Sequence, residues 1–269
     1  MPRKPTKLQH DYAGTTSPWF MLDNEEFFNQ NRENLVQMGF KETDIEYRFN
    51  SDGFRMDMEM SDVPEGSDIY FGDSTTMGYG ANLEDTWAYK HNEMRGGPFV
   101  NLANAAGSIE TIYRLADYWI PIIKPKSVYV LEPPFRRVEF IDHFEDAWVS
   151  GVWTYNKERT DVEKMHEDIA SNNPEHQRDL ARQNFENYLF ETYISSDTNN
   201  QVVRKRARQA MNYVCAENNV SLNWLDPLPF TEEYYFKARD LIHSNDEQHD
   251  KILDRFIGVV TPTPLPTFR

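Results

Sequence analysis

A serine, an acid and an imidazole occur at two distant points of this chain, and together these residue types can perform acyl transfer. Ser74 lies in Gly72-Asp73-Ser74-Thr75-Thr76, and Asp240-Leu241-Ile242-His243 places a carboxylate three residues before a histidine. A serine hydroxyl is a weak nucleophile until a base takes its proton, and that base works best when a carboxylate fixes its tautomer. Asp240 can bind Nδ1 of His243 across one turn, which leaves Nε2 to face Ser74. Gly72 lets the chain turn sharply off a strand, and a helix opening at Ser74 would aim backbone N–H groups at a developing oxyanion. Gly107, lacking a side chain, can bring its own N–H to the same oxygen. Gly-Asp-Ser recurs by chance, and Asp-x-x-His is more often a surface ion pair. The joint placement is what points to a nucleophile with its base.

That placement depends on the elements that carry it. Short apolar runs at 68–71, 99–103 and 127–131, with a weaker one at 221–225, alternate with segments of helical spacing. Ser108 can cap a helix in which Ile109, Ile112, Leu115 and Trp119 share a face, and Asp85-Thr86 can start another. Strands alternating with helices predict a parallel α/β sheet with right-handed crossovers and helices on both faces. In such sheets ligands gather beyond the carboxyl ends of the strands, where Ser74 and Gly107 both fall.

Residues 1–44 read as a polar, irregular N-terminal extension with one helix at 24–38, and 45–269 as the α/β domain. Alternation at 45–58 around Ser51-Asp52-Gly53 predicts a β-hairpin. The charged stretch at about 140–219 reads as a helical insertion without strands, with helices at 161–170, 175–193 and 200–216. Its basic cluster, Arg204, Lys205, Arg206 and Arg208, reads as a solvated helix face offsetting nearby acids. His249, between Asp246 and Asp250, matches no metal-ligand spacing.

Three segments resemble the sequence blocks of one family. The run from Ile69 through Gly72-Asp73-Ser74 to Gly80 looks like the first block of the SGNH (GDSL-type) hydrolases. Asn101-Leu102-Ala103-Asn104-Ala105-Ala106-Gly107 is similar to the second, and Ala238-Arg239-Asp240-Leu241-Ile242-His243 to the fifth. The arm at 47–55 and Trp87 also resemble bacterial and phage members with an N-terminal extension. The resemblance implies a three-layer, flavodoxin-like sheet and a serine esterase. Ser74 would be the nucleophile, His243 the base, Asp240 its orienter, and the N–H groups of Ser74 and Gly107 the oxyanion donors. The third block departs from the family. Its Asn, which donates to the oxyanion, has no counterpart in Glu132-Pro133-Pro134-Phe135-Arg136-Arg137. Arg136 or Arg137 would then replace that donor, hold a substrate carboxylate, or pair with Glu132.

Composition narrows the partners. The 269 residues carry 28 Lys and Arg against 44 Asp and Glu, a net charge of −16. Such a surface repels phosphates and anionic membranes, so neither nucleic acid nor a membrane is expected as a partner. One cysteine, Cys215, excludes an internal disulfide. The first ten residues show no apolar targeting run, which sets the expectation of a cytoplasmic location, or a virion-associated one were the chain viral. No metal or cofactor is expected. The expected substrate is a small-molecule or glycan ester, an O-acetyl or other short acyl group by family habit. The alternative is a catalytically impaired binding or structural protein on the same fold, such as a phage virion component, and assembly into an oligomer or virion fits either.

Overall fold

The computed structural model describes residues 12–134, 137–142, 147–152, 188 and 196–259. Its elements run β1 (Thr16–Ser17), α1 (Glu25–Gln30), α2 (Arg32–Gln37), β2 (Tyr47–Arg48), β3 (Ile69–Phe71), α3 (Ser74–Met77), α4 (Trp87–Arg95), β4 (Val100–Asn101) and α5 (Ile109–Ile123). They continue with β5 (Ser127–Leu131), β6 (Arg137–Asp142), β7 (Ala147–Val152), α6 (Asp197–Glu217), β8 (Ser221–Leu225) and α7 (Asp246–Val259).

The central sheet has four parallel strands in the order β4-β3-β5-β8. Numbered within the sheet this is the flavodoxin-like order, in which the chain starts near the middle and winds out both ways. Strand residues alternate between two covered faces. Ile69, Phe71, Val128 and Val130 pack on one face with α5 and α6, through Ile112, Leu115, Met211 and the buried Cys215. Tyr70, Tyr129 and Leu131 pack on the other with Trp87 of α4 and Ile252 and Phe256 of α7. Trp87 and Phe256 stack at 4.3 Å with their planes 6° apart. The fold is therefore a three-layer α/β sandwich, as the strand–helix alternation predicts. Among the described residues, no helix is long and apolar enough to cross a membrane.

Local signals account for the helix starts. Ser108 and Thr111 form a reciprocal capping box at α5, and the Thr86 side chain accepts from Tyr89 N–H at α4. Desolvation pushes the Cys215 thiol up to about 12, so it behaves as a small apolar group.

Four expectations are corrected. The arm at 45–58 turns back at 50–54, with Asn50 Nδ2 donating to Met58 O at 3.0 Å, but its two limbs do not pair as strands. Tyr47–Arg48 pairs antiparallel with Thr16–Ser17, so the extension supplies the partner strand that a hairpin would have supplied. Asn50 instead gathers the following turn, its side-chain oxygen accepting from Phe54 N–H at 2.9 Å. The helix expected at 24–38 is broken at Asn31 into α1 and α2. The stretch read as wholly helical begins with an antiparallel pair, β6 with β7. The helices expected at 161–170 and 175–193 lie outside the described residues apart from Tyr188, whereas the one expected at 200–216 is α6. The basic face of α6 is not simply solvated. Arg204 and Arg208 both grip the buried Glu132 carboxylate, which also accepts from Trp224 Nε1 at 2.7 Å. Asp246 and Asp250, flanking His249, pair with Lys90.

His249 is buried on α7, its Nδ1 without a hydrogen-bond partner among the described residues. Burial, with the charges of Lys90, His243 and Arg55 behind it, pushes the imidazole down from 6.5 to about 3. Between those values the unfolded chain binds a proton that the folded chain refuses, so stability falls as pH falls. Denaturant unfolding at pH 7 and pH 5 should therefore show the wild type losing about 2 kcal/mol more than a His249→Leu variant. An equal loss in both would show that His249 is not the group that titrates.

Candidate active site

Strand β3 ends at Phe71, and the chain turns through Gly72 into α3. A Cβ on Gly72 would lie 2.0 Å from Thr76 Oγ1 and 3.2 Å from the Leu131 carbonyl, so the turn admits no side chain. Asp73 caps the short helix, its Oδ1 accepting from Thr75 N–H at 3.0 Å. Ser74 therefore takes the first helical position, where a backbone N–H has no intrahelical acceptor. The far end of α3 is held by buried Arg55, which donates to Gly78 O and to Ala81 O, the latter at 3.0 Å. Complete burial lowers the Arg55 guanidinium from 12.5 to about 10, against the opposing pull of Tyr47 and nearby acids.

His243 arrives from the other end of the chain. Its Nε2 lies 2.7 Å from Ser74 Oγ, and its Nδ1 lies 2.5 Å from Asp240 Oδ2. A carboxylate can only accept, so Nδ1 carries the proton and Nε2 is free to accept from the serine hydroxyl. The second carboxylate oxygen, Oδ1, accepts from the backbone N–H groups of Ile242 and His243 at 3.1 and 3.0 Å. The turn that allows this puts Leu241 at φ +58°, a left-handed conformation costing about 1–2 kcal/mol in a non-glycine residue. The Tyr79 ring stacks on the imidazole at 4.5 Å between centroids, which fixes the plane of the ring. Gly80, at φ +74°, runs so close beneath the acid that a Cβ there would lie 2.9 Å from Asp240 Oδ1.

The N-terminal extension completes the site, which sequence reasoning missed. Arg239, next to Asp240, is fully buried and forms a bidentate pair with buried Asp23, Nε to Oδ1 at 2.9 Å and Nη2 to Oδ2 at 2.9 Å. It also donates to Pro18 O and to Glu42 O. Tyr47 links the pair to the site, donating to Asp23 Oδ2 at 2.5 Å while its oxygen accepts from Gly80 N–H at 2.8 Å. Leu22 N–H donates to Tyr79 Oη at 2.7 Å, so the arm also holds the ring that stacks on His243. The available signal was modest: Arg239 stands directly before Asp240 in Lys237-Ala238-Arg239, and one acid follows Phe20-Met21-Leu22.

The remaining expected residues fall out differently. Gly107 N–H does not face the serine but donates to Asn104 O at 2.9 Å. The chain leaving β4 must tighten into a turn before α5, and that turn consumes the N–H. Arg137, at the start of β6, does not pair with Glu132. Its Nη1 donates to Asp73 Oδ2 at 2.6 Å and to Gly107 O at 3.3 Å, which brings a cation beside the Gly72–Ser74 turn. Glu132 is already taken by Arg204 and Arg208. Arg136 lies outside the described residues. Ser74, His243, Asp240 and Arg137 open together into one cavity of about 630 Å³.

No protein-family model matches the sequence, and no curated protein matches it. Among solved structures, the chain is similar to a protein assigned to the G-D-S-L lipolytic family from Desulfitobacterium hafniense DCB-2, at 15% identity and a TM-score of 0.32, covering 72% of this chain and 98% of that one. TesA is similar at 12% identity and a TM-score of 0.32, with 72% and 98% covered. The psychrotrophic esterase EstA from Pseudoalteromonas sp., in a monoethylphosphonate-inhibited structure, is similar at 15% identity and a TM-score of 0.33, with 73% and 97% covered.

Removing one partner of a buried pair leaves the other charge uncompensated, which typically costs about 3–5 kcal/mol. Asp23→Ala should lower unfolding stability by that amount in a urea titration. A loss below about 1 kcal/mol, the range of exposed pairs, would show that Arg239 finds another anion or water.

Proposed function

We propose that this chain is a serine ester hydrolase that works through an acyl-enzyme on Ser74. The observation that carries the reading is the hydrogen-bonded chain Ser74 Oγ–His243 Nε2 at 2.7 Å and His243 Nδ1–Asp240 Oδ2 at 2.5 Å, open to a cavity. In this reading Ser74 Oγ bonds to the ester carbonyl carbon while its proton passes to Nε2. The tetrahedral intermediate then collapses, the bond to the alcohol oxygen breaks, and the Nε2 proton leaves with the alcohol. A water molecule repeats the sequence, giving its proton to Nε2 as it adds to the acyl carbon. Release of the acid returns the proton to Ser74. Asp240 keeps the imidazole in the accepting tautomer and stabilises the imidazolium that forms.

The oxyanion would meet Ser74 N–H at the start of α3. Gly107 N–H is committed to Asn104, and no Asn follows β5, so two donors that the family resemblance implies do not point there. Loss of one such donor costs about 10²–10³ in turnover. Arg137 supports a compensating role, because a guanidinium held by Asp73 and Gly107 O on the cavity wall brings positive charge to the developing oxyanion.

A fluorophosphonate probe should label the wild type stoichiometrically and Ser74→Ala not at all. Hydrolysis of p-nitrophenyl butyrate should vanish in Ser74→Ala and fall about 10³–10⁴-fold in Asp240→Asn, where the tautomer is wrong. Equal rates in wild type and Ser74→Ala, with no labelling, would remove Ser74 from the mechanism and leave the impaired binding protein as the reading.

A further inference from the structure

The lining of the Ser74 cavity is mostly apolar around a polar cluster in which Ser74 hydrogen-bonds to His243 and Asp73 to Arg137. The rest of the lining includes Met21 and Leu22 of the N-terminal arm, Ala105 and Ala106 after β4, Pro134 after β5, and Phe230 and Ile242 from the segment leading to α7, beside the rings of Tyr79 and Tyr235. These residues come from four separate parts of the chain, and their convergence is not a by-product of one apolar run. Leu22 is 65% exposed and Phe230 64% exposed, unusual for large apolar side chains that line one cavity. Both rest on anchored backbone or rings. Leu22 N–H is held by Tyr79 Oη at 2.7 Å, and Phe230 packs on Tyr235 at 5.0 Å and Phe236 at 4.7 Å.

A sugar needs convergent donors and acceptors along its length, because each hydroxyl stripped of water without a partner costs free energy. An acetyl group would fill a small part of about 630 Å³ and leave the apolar wall wet. A hydrocarbon chain satisfies both conditions. Its ester carbon sits at Ser74, where the polar groups are, and its methylenes run along the wall.

Resting on the hydrolase reading, we propose that the cavity is an acyl-chain site and that the substrates are esters of medium-chain carboxylic acids rather than acetyl esters of a glycan. Met21, Leu22, Phe230 and Ile242 form the wall that selects chain length. The N-terminal arm thereby serves specificity as well as the framework of the site, since the residues beside Asp23 line the chain path.

The test is the series of p-nitrophenyl acetate, butyrate, octanoate and dodecanoate. Burial of a methylene contributes about 0.8 kcal/mol, about fourfold, so kcat/KM should climb about fourfold per methylene from acetate through butyrate and reach its maximum near octanoate. Leu22→Ser and Phe230→Ser should lower the octanoate-to-acetate ratio at least tenfold, and the double variant more. A Ser74-dependent profile that is flat, or highest at acetate, would overturn the acyl-chain site while leaving the hydrolase reading intact. Should no ester be turned over, calorimetric titration of Ser74→Ala with sodium octanoate, against acetate as control, still decides the matter. Binding of octanoate that Phe230→Ser weakens supports the site without the chemistry, and no binding overturns it.

Discussion

Two charges that cannot be buried separately hold this molecule in the form that makes its site. Arg239 and Asp23 lie in the interior, and a lone charge there carries a desolvation penalty of several kcal/mol. The penalty is offset when the guanidinium and carboxylate meet with both oxygens engaged and Tyr47 taking part. The N-terminal arm and the loop before α7 are therefore constrained to close as a unit. Asp240 is the next residue along, and Tyr79 and Gly80 touch both the arm and the Asp240–His243 turn. The geometry around Ser74 thus depends on a contact that involves none of Ser74, His243 and Asp240.

The sheet supplies the other half of the constraint. Three of its parallel strands end on one side, and the chain leaves each of them into a site segment: α3 after β3, the Asn104–Gly107 turn after β4, and the Pro133-Pro134 turn before Arg137 after β5. A doubly wound sheet concentrates loops there because its crossovers all return on the opposite edge. Charge is distributed with the same economy. Arg137 is paired with Asp73, and Glu132 with Arg204 and Arg208, so each of these charges is met by its counter-ion and Arg137 is held beside the Gly72–Ser74 turn.

Much of this was legible in the residues. Strands buried on both faces read as short apolar runs, and Ile69–Phe71 and Ser127–Leu131 stand where such runs predict them. Helix starts with Ser or Thr caps were visible for the same local reason. The β2 partner was not legible, because alternation at 45–58 shows that a strand exists without saying what it pairs with, and β1 lies some thirty residues upstream in a stretch without a strand pattern. Strand β6 (RVEFID) was missed because half of its residues are charged, and β7 (AWVSGV), which carries no charge, because its Ser150-Gly151 pair reads as a loop. The direction of Gly107 N–H depends on the turn after β4, and a glycine in sequence does not reveal which way its N–H faces.

By itself, the sequence determined the parallel sheet, the turn at Gly72–Ser74 and the local bond between Asp240 and His243. Each of these depends on neighbours within a few residues or on a periodicity that local sterics enforce. Tertiary structure decided what reaches across the chain: the approach of His243 to Ser74, the Arg239–Asp23 pair behind it, Arg137 on Asp73, and the apolar cavity assembled from four segments. Those contacts are settled by desolvation and packing between groups far apart in sequence, and no local pattern encodes which of many possible partners will bury them best.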